Sequence, residues 1–167
     1  MTIVIEKAFA RDSGHIRGLE IKAQEYPLPL GVIEEYIDTS PQLGAKQDKE
    51  AYVAALSGKV VGSVLLEFNS EEDCMYILRI SVHPTWQNTH RIKVGSELMH
   101  HAEAQAWKRQ IRSVRILIPS YKVEDKTDPD YLVPWLDKHH MKAIGVETDY
   151  YFRYGRLWDA YIFEKKL

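Results

Sequence analysis

Ile3 and Ile5 alternate with Val4 and Glu6 in a β-branched run that predicts a first strand. Asp12-Ser13 then offers helix caps, and Ile16, Leu19 and Ala23 repeat at helical spacing. Tyr26-Pro27-Leu28-Pro29 breaks that helix, because each proline removes a donor and restricts the residue before it. A second short helix, near Val32 to Ile37, ends before Ser40-Pro41, and the polar stretch Gln42 to Glu50 reads as a loop. Ala51 to Leu56 and Val60 to Phe68 flank Ser57-Gly58-Lys59, which predicts a hairpin. After an acidic turn at Asn69 to Asp73, Ile77 to Val82 is an apolar strand stopped by Pro84.

The longest helical pattern follows. Val94, Leu98, Ala102 and Ala106 recur four apart, with Met99 widening the stripe. Val114, Ile116 and Ile118 alternate as a strand. Asp128-Pro129 supplies a helix start that carries to about His140, with Leu132, Trp135, Leu136 and His139 on its inner side. Two last strands, Ile144 to Tyr154 and Leu157 to Glu164, surround a Tyr154-Gly155-Arg156 turn. This order predicts an α/β fold: a mixed central sheet of about seven strands with flanking helices, where crossovers allow parallel pairing. No repeat or linker divides residues 1–167, so one domain is expected.

Composition narrows the function classes. The formal charge of −2 gives no general polyanion-binding surface, which makes nucleic acid an unexpected partner. The single cysteine, Cys74, excludes an intrachain disulfide and reads as a small buried side chain in a reducing compartment. Met1 to Glu6 lacks the pattern of a secretory signal, and no apolar run reaches the ~20 residues that span a bilayer, so the expected setting is cytoplasmic. His100-His101 and His139-His140 lack the i, i+4 spacing of a helical metal pair, and no metal is expected.

Two stretches carry a family resemblance. Ile80-Ser81-Val82-His83-Pro84 followed by Val94-Gly95-Ser96-Glu97-Leu98-Met99 resembles the strand end, loop and helix start of GNAT-type N-acetyltransferases. Trp135 to Lys142 running into Ile144-Gly145-Val146 is similar to that superfamily's closing helix and strand. The resemblance implies acetyl-CoA as co-substrate. Its pyrophosphate would lie on the donors of the helix start, within His90, Arg91, Ile92, Lys93, Val94, Gly95 and Ser96. It also implies that a bulge exposes the backbone of Ile80, Ser81 and Val82 to the pantetheine arm. Lys93 stands where the family's loop has its first glycine.

The implied chemistry is direct attack of a primary amine on the thioester, which needs a base and a fate for the thiolate. Tyr76 falls near the family's usual carboxylate position, and Glu67, on the neighbouring strand, interrupts the apolar run Val64-Leu65-Leu66. Glu67 is the expected base, with Tyr76 beside it as the second catalytic candidate. The family's acid tyrosine falls on Leu136, which has no proton to give; Tyr121 and Tyr131 are weaker replacements. The acceptor would enter between residues 26–29 and the last hairpin; Glu25, Glu34 and Glu35 read as attractors for a cationic amine or, more simply, as a solvated helix face. The aromatic residues of that hairpin pack the sheet, form a homodimer contact or line the acceptor cleft. The missing glycine and tyrosine support an alternative: a GNAT-fold binding or structural module with weak or lost catalysis.

Overall fold

A computed structural model describes residues 2–24, 27–37, 48–87, 93–128, 131–153 and 155–167. Its seven strands are β1 (Ile3–Lys7), β2 (Lys49–Leu56), β3 (Lys59–Asn69), β4 (Cys74–Val82), β5 (Ser113–Pro119), β6 (Lys142–Arg153) and β7 (Arg156–Lys166). They form one sheet in the order β1-β2-β3-β4-β5-β7-β6. Only β4 and β5 pair in parallel, across the crossover that holds α3 (Val94–Lys108). This is the mixed α/β architecture expected from the order of elements.

The helices cover both faces. α1 (Ser13–Ala23) and α2 (Leu30–Ile37) bury Ile16, Ile33 and Tyr36 against Ala51, Val53 and Leu65. On the other face, Leu98, Met99, Ala102 and Ala106 of α3 pack with Val64, Leu66 and Leu136. Val64, Leu65 and Leu66 are each fully buried, so this strand reads as a continuous apolar run rather than an alternation. The hairpin between β2 and β3 turns at Ser57 and Gly58, with φ of 50° and 77°, as a tight two-residue turn requires.

The expected helix from Asp128 to His140 is shorter. Of that stretch, α5 spans only Val133–Lys138, with Leu132 at its N-cap. The cause is Pro134: inside a longer helix its ring would clash and its missing N–H would leave a gap, but the first turn tolerates it. The inner side holds as expected, with Leu136 and His139 buried. Residues 121–124 form a single helical turn, α4 (Tyr121–Glu124).

Two features place the site. Gly62 lets α3 sit on the sheet, because a Cβ there would lie 2.7 Å from Val94 Cγ1 and 3.2 Å from the Ser81 carbonyl oxygen. The β3–β4 register also slips: Leu65 faces Arg79, but Leu66 faces Ile77, so Leu78 is an extra residue in β4. Beyond this bulge β4 leaves β5. Their pairing runs from Cys74↔Ser113 to Ile77↔Ile116 and stops.

Candidate active site

The parted strands expose backbone in a predictable pattern. Antiparallel neighbours alternate between residues that exchange hydrogen bonds and residues that point away. The His83 N–H donates to the Val61 carbonyl at 2.9 Å, so Ser81 faces β3 while Ile80 and Val82 face the opening. On β5 the Ser120 N–H donates to the Asp159 carbonyl at 2.9 Å, which by the same alternation turns Leu117 away from β7 and into the opening.

Side chains occupy these outward carbonyls. Gln24 Nε2, at the C-terminal end of α1, donates to the Ile80 carbonyl at 3.3 Å. Gln87 Nε2 donates to the Val82 carbonyl at 2.7 Å, and the Tyr151 hydroxyl donates to the Leu117 carbonyl at 3.1 Å. Each carbonyl is satisfied by a side-chain group that a ligand amide could replace.

Behind Gln24 lies a buried carboxylate. Glu20 is fully enclosed, on the inward stripe of α1. It accepts from the Ser81 hydroxyl and, at 3.2 Å, from the Leu28 N–H, while Arg79 Nε lies 3.7 Å away. Gln24 Nε2 also donates to Ser81 Oγ at 3.1 Å. The Ser81 side chain therefore ties α1 to β4, and its backbone belongs to the β3 ladder.

On the α1–α2 face, next to the point of parting, an open cleft of about 340 Å³ is walled by Leu117, Ile144, Ile162 and Tyr150. Tyr76, Arg115 and Glu147 supply its polar side. Glu67 sits one strand away as the register partner of Tyr76, and its Oε2 accepts the Tyr36 hydroxyl at 3.1 Å. Burial, then the Glu67 carboxylate, push the Tyr36 phenol well above its ordinary range. Tyr76 donates to Glu72 at 2.5 Å and accepts from Arg115 at 3.0 Å. Burial and the Glu72 bond raise its pKa, so its proton is held. Arg115 also reaches Glu164 at 3.0 Å.

The floor of the opening is the first turn of α3. A Cβ added at Gly95 would lie 3.6 Å from Val82 Cγ2 and 3.9 Å from Trp135 Nε1, which is ordinary contact. Lys93 is the N-cap, and Val94 and Ser96 are buried. Ser96 Oγ lies 3.0 Å from His139 Nε2 and accepts from Lys138 Nζ at 3.3 Å. Burial pushes the His139 pKa down to about 4, with His100 a lesser cause. His90, Arg91 and Ile92 lie outside the described residues, as does Glu25. Glu35 is engaged with Lys49 at 2.9 Å.

The structure thus brings Ile80, Val82, Val94 and Gly95 to the opening, and Glu67 and Tyr76 to the cleft side. Three residues here were not singled out from sequence, Glu20, Gln24 and Gly62, whereas Tyr151 is one of the hairpin aromatics expected to pack the sheet, form a dimer contact or line the acceptor cleft. A carboxylate on an apolar helical stripe marks Glu20, and a lone glycine inside an apolar strand marks Gly62. Gln24 carries no comparable signal.

The profile of the Acetyltransferase (GNAT) family matches residues 16–126. No curated protein matches the sequence. Among solved structures, the ribosomal-protein-S18-alanine N-acetyltransferase from Escherichia coli aligns with TM-score 0.77 at 14% identity, covering 99% of this chain and 94% of that one. Arabidopsis thaliana NAA60 in complex with acetyl-CoA aligns with TM-score 0.76 at 12% identity over 99% of both chains. An IAA acetyltransferase from Bacillus cereus aligns with TM-score 0.70 at 18% identity, over 99% of this chain and 100% of that one. These likenesses show the same fold. The chain belongs to the GNAT acetyltransferase family.

Proposed function

We propose that this GNAT-family chain is an acetyl-CoA-dependent N-acetyltransferase that passes the acetyl group to a primary amine by direct attack in a ternary complex. The observation that carries the reading is the parting of β4 from β5, with the start of α3 at its floor and the cleft beside it. The pantetheine arm pairs with the outward backbone of Ile80 and Val82. The pyrophosphate takes the unpaired donors of the first turn of α3, from Lys93 to Ser96, where the helix dipole favours anions. His90, Arg91 and Ile92 complete that loop in the proposal.

Glu67 is the base. It takes the proton of the attacking amine directly or through one water, and Tyr36 orients its carboxylate. Tyr76, whose proton is held by Glu72, shapes the cleft instead of exchanging protons. The cleft combines aromatic and aliphatic walls with Glu147 and the nearby Glu67, a lining that suits an amine cation on an apolar body.

The test is calorimetry with acetyl-CoA, followed by mass spectrometry of an amine panel incubated with the protein and acetyl-CoA. Saturable binding and a product heavier by one acetyl group support the reading. Binding without transfer to any amine would favour the module alternative. Absence of binding would remove the enzyme reading.

A further inference from the structure

The opening and the cleft share Leu117, whose partner Tyr151 has no part in the proposed chemistry. Its hydroxyl bonds the Leu117 carbonyl on the β5 side of the gap, and its phenol feels the charge of Arg79 from the β4 side. The backbone aims it there. Against β7, Glu147 faces Ala160 but Tyr151 faces Trp158, so residues 148–150 oppose Asp159 alone. The Asp159 carboxylate closes this bulge by accepting the Asp149 N–H at 3.0 Å, and Asp149 holds a φ of 53° that disfavours a non-glycine residue. Such bulges re-aim side chains next to active sites.

Four other phenols among the described residues are committed elsewhere. Tyr36, Tyr52, Tyr76 and Tyr161 each donate to a carboxylate: Glu67, Glu50, Glu72 and Glu124. A charged acceptor holds a proton far more firmly than a neutral carbonyl does. The Tyr121 ring meets Trp158 edge to face at 5.2 Å, and the Leu136 position is wholly buried and apolar.

We propose that Tyr151 is the proton donor to the departing thiolate, a role that rests on the acetyl transfer proposed above. The amine nitrogen forms its bond to the acetyl carbon, the C–S bond breaks, and its electron pair goes to sulfur. The Tyr151 hydroxyl leaves the Leu117 carbonyl and gives its proton to that sulfur. The amine's proton leaves through Glu67 to solvent, and solvent returns one to the phenolate. Burial, then Tyr150, push the phenol up to about 12 while Arg79 opposes them, so the donor is protonated at neutral pH.

CoA itself is the probe, since the role implies that Tyr151 donates to bound sulfur without any acceptor present. The thiol of bound CoA is titrated by its ultraviolet thiolate absorbance in the wild type and in Tyr151→Phe, with calorimetry to establish saturation. The expected result is similar CoA affinity in both, and a thiol pKa about one unit lower in the wild type. The groups known to act on this phenol, Tyr150 and Arg79, are the same in both proteins. Placing 3-fluorotyrosine at 151, a more acidic phenol of nearly the same shape, lowers the thiol value further and serves if Tyr151→Phe does not fold. Equal thiol titration with CoA bound to both proteins overturns the Tyr151 role and leaves the acetyl-transfer reading standing. No CoA binding to the wild type overturns both.

Discussion

The two halves of β4 solve one problem differently. From Cys74 to Ile77 the strand is zipped to β5, and Arg115 reinforces the seam by bonding Glu72, Glu164 and Tyr76. From Ile80 to Val82 the β5 neighbour is gone, and the side chains of Gln24 and Gln87 satisfy the carbonyls. Buried or half-buried backbone groups need partners in both halves. In the closed half those partners are other backbone groups, which no ligand displaces. In the open half they are single side chains, and exchanging one for a ligand amide costs little net hydrogen bonding. A one-residue bulge at Leu78 divides a structural strand from a binding strand.

The sharpest way to press this contrast is at the boundary itself. Glu67→Gln lowers turnover on an accepted amine by roughly 10²–10⁴-fold, with acetyl-CoA affinity held within twofold in calorimetry. Normal turnover would remove Glu67 from the chemistry. Within the closed half, Arg115→Met leaves Glu164, which is nearly buried, without its guanidinium partner. Denaturant melts should show a loss of about 2–3 kcal/mol, less than for a deeply buried pair because Arg115 is partly exposed. Acetyl-CoA binding should barely move; a large loss of binding would mean the two halves are not separable.

The floor of the open half supplies a pH dependence. His139 is buried behind Ser96, and its pKa is pushed from an ordinary 6.5 down to about 4. Between these values the unfolded chain binds a proton that the folded chain refuses, so stability rises with pH across that window. Acidification from about 6.5 to 4 therefore removes about 2–3 kcal/mol through this group, and the loss levels off below 4. Melts of the wild type and His139→Gln at pH 4 to 7 check it, and parallel curves would refute it. The smallest effect belongs to the open rim. Gln24→Ala vacates the Ile80 carbonyl, and acetyl-CoA should bind roughly twofold to fivefold tighter by calorimetry, about 0.5–1 kcal/mol. Weaker binding would instead assign Gln24 to the ligand's side.

The closed half was the more legible of the two. Val114, Ile116 and Ile118 alternate, so period identifies β5, and the Ser57-Gly58-Lys59 turn between two apolar runs identifies β2 and the central β3. The helix α3 follows from its fourfold stripe, whose four members all lie within Val94–Lys108. Buried Cys74 is likewise as expected, its thiol pKa raised chiefly by burial. The open half depends on long-range register, which no local pattern states. The family resemblance led to Ile80 and Val82, but the alternation that turns Ser81 toward β3 is set by where the bulge falls. The same limit hid Gln24, a polar residue at a helix end whose partner is 56 positions away. Pro134 was legible and misweighed: local chemistry forbids it a place in mid-helix.

The insertion in β6 has a parity. Its two additional residues, relative to β7, bring the strand back in phase, so Tyr151 and Phe152 keep the faces that an uninterrupted ladder would assign them. Removing one residue between Glu147 and Tyr151 would put the remainder of the strand out of step, exchanging inward and outward side chains up to the hairpin turn. Removing two would keep the faces but straighten the strand and withdraw the phenol from Leu117. Length variation here is therefore quantised: even changes retune the reach of Tyr151, and odd ones turn it to the other face of the sheet.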